Sequence, residues 1–163
     1  MPAAYIAVIG PGDGATDTEL AAAEEVGRLL ARSGAIVVCG GLGGVMAAVS
    51  KGARSSGGAA VGLLPGREHG PGNPYLTVEL PTGQGEARNA LVVTAAEAVI
   101  AIGGSWGTLS EIALAMRTGK PVVQVAGWPI RDPAGRGPQP AATPAQAVTL
   151  ALEAARAARP ASR

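Results

Sequence analysis

The 163 residues fit one domain, and with 47% apolar residues but no Phe, two Trp and two Tyr, its core must be built from Ala, Val, Leu and Ile. The net charge of +1, with arginines and acids dispersed, provides no basic stripe to neutralise a nucleic-acid backbone, so no nucleic acid is expected as the main partner. One cysteine, Cys39, and one histidine, His69, exclude a disulfide framework and a Cys/His zinc site, while the lack of a signal-peptide pattern or a long apolar run points to a cytoplasmic protein without membrane contact.

Short apolar runs begin at Tyr5 (YIAVIG), Ala35 (AIVVCG), Ala59 (AAVGLL), Leu76 (LTVEL), Ala98 (AVIAIG) and Pro121 (PVVQVA). They lack period-two alternation, as strands covered on both faces do. Between them, helical patterns run from Thr16 to Ser33, Gly44 to Ser55, Gly85 to Ala95 and Thr108 to Thr118. The first opens with a capping box, Thr16 to Glu19, and the last stops at Gly119 with Pro121 shortly after. Residues 127–142 are rich in Pro and Gly and read as an irregular loop. A final helix, 143–158, takes Thr143 as N-cap and Pro144 at its first position. Strands alternating with helices imply right-handed crossovers, hence an α/β, Rossmann-like, doubly wound parallel sheet in a single domain.

In such a sheet the strand-to-helix turns share one edge, where ligands bind near the switch in strand order. Here that edge carries GPGDGA, GGLGG, PGREHGPGNP, PTGQGEARN and GGSWGT. Several glycine-rich turns facing one crevice bring backbone N–H groups close to an anion, with phosphate the leading candidate. The candidate ligand-binding residues are Gly12, Gly41, Gly43, Gly44, Asn89, Gly103, Gly104, Ser105, Trp106, Gly107 and Thr108.

Three enzyme motifs compete for this edge and fail. The GPGDGA turn meets a loose dinucleotide pattern, but the second strand ends at Val38-Cys39-Gly40 without an acid to hold a ribose. Gly103 to Gly107 meets G-x-S-x-G, yet a hydrolase of that kind needs a histidine downstream of Ser105, and His69 lies upstream. No Walker G-K-[ST] occurs. Two charged residues remain: Arg88, early in the helix after the fourth strand, and Glu111, in the first turn after the fifth, both able to point into the crevice. Each has a structural alternative. Thr108 to Glu111 is itself a capping-box pattern, and Arg88 has Glu86 nearby as an ion-pair partner. Trp106 either stacks on a base or packs on the surface.

The combination GGSWGTLSE, GGLGGVMAAVSKGA and ARN resembles the Lonely Guy family, the cytokinin riboside 5′-monophosphate phosphoribohydrolases within a lysine-decarboxylase-like superfamily. TGQGEARN and GTLSEIALAMRTGKPVV look most like its branch of molybdenum-cofactor carrier proteins. The resemblance implies a homodimer or higher homo-oligomer. Gly104, Gly107 and Thr108 would match the phosphate loop, and Arg88 and Glu111 the pair that splits a nucleoside 5′-monophosphate into base and ribose 5-phosphate. Ile102, Asn89 and Ser110 depart from the hydrolases, which carry Pro, Lys and Glu there. The ligand is therefore expected to be a small phosphorylated molecule, a nucleotide or a pterin cofactor. It is either hydrolysed by Arg88 and Glu111 or held by a non-catalytic carrier or sensor, and no resident cofactor or metal is expected.

Overall fold

The computed structural model describes residues 2–159. Seven parallel strands form one sheet: β1 (Tyr5–Ile9), β2 (Ile36–Cys39), β3 (Ala60–Leu64), β4 (Val78–Pro81), β5 (Ala98–Ile102), β6 (Val122–Val125) and β7 (Gln139–Ala141), in the order β4-β3-β2-β1-β5-β6-β7. The chain winds outward from β1 to β4, then restarts at β5 on the other side of β1. In register, Ile6 lies beside both Val37 and Ala98, which places the reversal of strand order between β1 and β5. This is the Rossmann-like doubly wound sheet expected from the alternating pattern.

Five helices cover it: α1 (Asp17–Arg32), α2 (Val45–Ser55), α3 (Arg88–Ala95), α4 (Trp106–Arg117) and α5 (Pro144–Ala158). Side chains of β1 alternate between two cores. Ile6 and Val8 pack with α1, α2 and α5, whereas Ala7 and Ile9 pack with α3 and α4. Burial on both faces explains why the inner strands β1, β2, β3 and β5 are apolar throughout.

With no Phe to fill space, small residues let the helices approach closely. A Cβ at Gly52 in α2 would stand 1.9 Å from the Glu24 carbonyl oxygen of α1, and one at Gly27 would stand 2.1 Å from the Val49 carbonyl oxygen of α2. The two helices meet backbone to backbone. Caps set their ends: the Thr16 hydroxyl accepts from the Glu19 amide at 3.2 Å, while the Glu19 carboxylate accepts from the Thr16 amide at 2.8 Å. Thr143 caps α5 in the same way, accepting from the Gln146 amide at 3.1 Å.

Three local features differ from the sequence reading. The stretch 127–142 contains β7, a three-residue edge strand beside β6 whose Pro140 is tolerated because an edge position need not donate on its outer side. The helix expected from Gly85 begins as a 3-10 turn over Gly85–Ala87 before α3. α4 starts at Trp106, two residues earlier than expected, because Ser105 is its cap. Among the described residues no helix is long and apolar enough to cross a membrane.

Candidate functional site

A cleft of about 370 Å³ opens at the C-terminal ends of the strands, where β1 and β5 part. Gly10 and Gly12 line it after β1, Gly40 and Leu42 after β2, and Pro65 after β3; Met46 enters from α2. The opposite wall carries Gly85, Glu86, Arg88 and Asn89, and α4 contributes Ser105, Gly107, Thr108 and Glu111.

Arg88 opens α3 and is only 8% exposed. Its guanidinium lies flat against Gly40, where a Cβ would come within 2.6–2.7 Å of Nη1, Cζ and Nη2. Nη1 donates to the Asn89 Oδ1 at 2.6 Å, while the buried Nε has no hydrogen-bond partner. Glu86, the alternative ion-pair partner, does not take up this charge: Arg88 forms no salt bridge among the described residues. A buried cation with an unsatisfied donor is costly unless something anionic completes it.

Glu111 is also 8% exposed. Burial pushes its carboxyl up to about 7, although the positive charge of Arg88 pulls the other way. It does not cap its helix. Ser105 does, its Oγ accepting from the Thr108 amide at 3.1 Å and sharing a hydrogen bond of 2.9 Å with the Thr108 Oγ1. Glu111 is thus the sixth residue of α4, in its second turn rather than its first.

The helix N-termini at this edge differ in their capacity for an anion. α1 is closed by its own capping box and carries Asp17 and Glu19 in its first turn. α2 begins at Gly44 without a side-chain cap or an acid in its first turn, and α4 also lacks an acid there. The first amide of α2, that of Val45, is taken by the Pro11 carbonyl oxygen at 3.0 Å, so α4 offers the better end for an anion.

Of the residues singled out in the sequence, Gly12, Arg88, Asn89, Ser105, Gly107, Thr108 and Glu111 come together in the cleft. Six others do not line it. Gly41 packs beneath Leu64 and Leu76, and Gly44 lies against the Pro11 and Gly12 carbonyl oxygens. Gly103 makes room for Glu19, Gly104 for Trp128, and a Cβ at Gly43 would meet open space. Trp106 turns away from the cleft onto Trp128, with ring centroids 5.1 Å apart and an interplanar angle of 80°. The sequence reading missed Gly10, Gly40, Leu42, Met46, Pro65, Gly85 and Glu86 as lining residues. Gly40, directly after the second apolar run, could have been found as a point where backbone must yield to a neighbour. Leu42 and Met46 carried no such signal.

Known proteins share this architecture. The model of the SLOG cluster4 family matches residues 3–152. An uncharacterized protein of Archaeoglobus fulgidus is 42% identical over 125 residues, which cover 77% of this chain and 82% of that protein. The molybdenum cofactor binding protein of the phototrophic bacterium Rippkaea orientalis superimposes with a TM-score of 0.86 at 32% identity, over 94% of this chain and 98% of that one. The molybdenum cofactor carrier protein of Chlamydomonas reinhardtii does so with a TM-score of 0.83 at 30% identity, over 94% and 98%.

Proposed function

This chain belongs to the SLOG cluster4 family, and from that footing we propose that its cleft takes up a phosphate-bearing small molecule of the pterin-cofactor or nucleotide type and holds it without turning it over. The likeness to the molybdenum cofactor binding and carrier proteins supports a carrier role. The observation that carries the reading is Arg88, a buried cation whose Nε has no partner and whose charge has no carboxylate in salt-bridge contact among the described residues. An anionic ligand would supply both.

The phosphate fits at the start of α4. The Thr108 amide is held by the Ser105 cap, Gly107 presents bare backbone in the turn before it, and of the Ser105 and Thr108 hydroxyls, which share one hydrogen bond, one keeps a proton to donate. Asn89 fixes the Arg88 guanidinium, so a charge-assisted hydrogen bond to the ligand needs little reorganisation. The organic part of the ligand meets Leu42 and Met46 on the apolar wall, and the cleft volume of about 370 Å³ lies within the range of small-molecule sites. On the Lonely Guy resemblance, a homodimer is part of the proposal.

Hydrolysis of a nucleoside 5′-monophosphate is the second reading, favoured by the presence of Glu111 and Arg88 in one cleft. In that reaction a carboxylate stabilises positive charge developing on the sugar. A carboxyl raised to about 7 is only half ionised at neutral pH, which suits a hydrogen-bonding contact better than a permanent anion. Ser110, where the hydrolases carry Glu, bonds back to the Gly107 carbonyl oxygen at 2.7 Å.

The test incubates the protein with nucleoside 5′-monophosphates and, separately, with molybdenum cofactor, following melting temperature and ribose 5-phosphate. A bound ligand at 100 times its Kd adds about 2.7 kcal/mol of stability. The expected result is stabilisation without ribose 5-phosphate. Release that disappears in Glu111→Gln would establish the hydrolase instead. Gly107→Val should keep the fold, since a Cβ there meets only the Ser105 Oγ at 3.8 Å, yet block the phosphate; undiminished stabilisation in that variant would overturn the assignment of the α4 turn.

A further inference from the structure

Both tryptophans of the chain stand together outside the cleft. Trp106, the first residue of α4, is 79% exposed and Trp128 is 37% exposed. Further along α4, Leu109, Ala113 and Met116 face Ile130 across a groove of about 530 Å³ between that helix and residues 130–137. Trp106, Leu109, Ala113 and Met116 follow helical spacing, so one apolar stripe runs down the helix from its first residue.

The rim of this groove is cationic, with Arg117, Arg131 and Arg136 against Asp132 alone. Arg136 Nε donates to the Asp132 Oδ2 at 2.7 Å, which compensates one charge. Arg131 Nη1 donates to the Ile130 and Pro138 carbonyl oxygens at 2.8 and 3.1 Å, bonds that hold the side chain without cancelling its charge. Arg117 makes no salt bridge among the described residues. Tryptophan, methionine and arginine are the residues enriched where proteins bind one another, and a continuous apolar patch of this kind marks an interaction site.

We propose that this groove docks a partner protein through a segment that lays apolar side chains on Leu109, Ala113 and Met116 and sets carboxylates against Arg117 and Arg131. Charge selects this occupant over a second copy. In a two-fold contact the same patch meets itself, so the arginine rim would face its own like charges, whereas an acidic segment meets them with opposite ones. The docking surface stands on its own residues, whatever the cleft holds.

The test titrates tryptophan fluorescence with two synthetic amphipathic helical peptides that share one leucine stripe and carry either Glu or Lys elsewhere. The Glu peptide is expected to bind saturably, more weakly as salt is raised, and to shift the emission of the two tryptophans. Arg117→Glu and Met116→Glu should each weaken it roughly tenfold or more, while melting temperature and AMP-induced stabilisation stay unchanged. The proposal is overturned if the Lys peptide binds as well, if neither peptide saturates, or if light scattering shows that Met116→Glu lowers the mass of the assembly, which would assign the groove to a second copy.

Discussion

Glu111 costs this protein stability at neutral pH, and the sign follows from its burial. Its carboxyl titrates near 4.5 in the unfolded chain and near 7 in the folded one, so between those values the native state binds more protons. Stability therefore falls as pH rises through that window, at up to about 1.4 kcal/mol per pH unit, for about 3 kcal/mol in all. Below pH 4.5 the loss is absent; above pH 7 it is complete. We predict that Glu111→Gln is more stable than the wild type by about this amount at pH 8 and close to it at pH 4.5, as read by denaturant unfolding at both values. Identical pH dependence in the two proteins would show that Glu111 is not desolvated. A destabilised acid beside a buried cation is the kind of local cost that ligand sites carry. Arg88 and Glu111 were legible in the sequence because each lies near the start of a helix that follows a strand, where the topology gathers them. That Arg88 is the neighbour lying flat on Gly40 was not legible, because the contact joins residues 48 positions apart.

The pair α1 and α2 shows how the glycine and alanine content becomes structure. Replacing Gly52 by Ala would by itself favour the helix by about 1 kcal/mol. The added Cβ would stand 1.9 Å from the Glu24 carbonyl oxygen, however, and no side chain can move aside to relieve a contact with backbone. Separating two packed helices costs about 3 kcal/mol, so the clash wins and Gly52→Ala should lose about 2 kcal/mol in urea unfolding. A stabilised variant would mean that the helices are not in backbone contact. The sequence showed the ends of α1 and α5, since caps are local: Thr16, Glu19, Thr143 and Pro144 each act within four residues. It did not show the true start of α4, where Ser105 competes successfully with Thr108 as the cap.

The sheet is covered unevenly. Three helices pack on one face and two on the other, and the connection from β3 to β4 contains no helix. Val78 and Leu80 pair in register with Val61 and Leu63 on the thinly covered face, and together with Leu91 of α3 they remain exposed. This flank is apolar, and unlike the groove beside α4 it can meet its own copy without opposing charges. We predict a dimer by light scattering that becomes monomeric when Leu80→Glu and Leu91→Glu are combined, while Met116→Glu leaves the mass unchanged. A monomeric wild type would remove the homodimer from the proposal.

The sequence by itself determined the alternation of strands and helices, the parallel sheet, the glycine-rich edge and two of the charged residues that line the cleft, Arg88 and Glu111. These depend on periodicity and on turn chemistry that act over a few positions. Only the tertiary structure decided which glycines face the ligand and which yield to neighbours such as Glu19 and Trp128. It also decided that Arg88 stays without a carboxylate partner, that Trp106 leaves the cleft for Trp128, and that a strand forms around Pro140. Each of those outcomes depends on which distant segments meet, and that meeting is set by packing across the whole sheet.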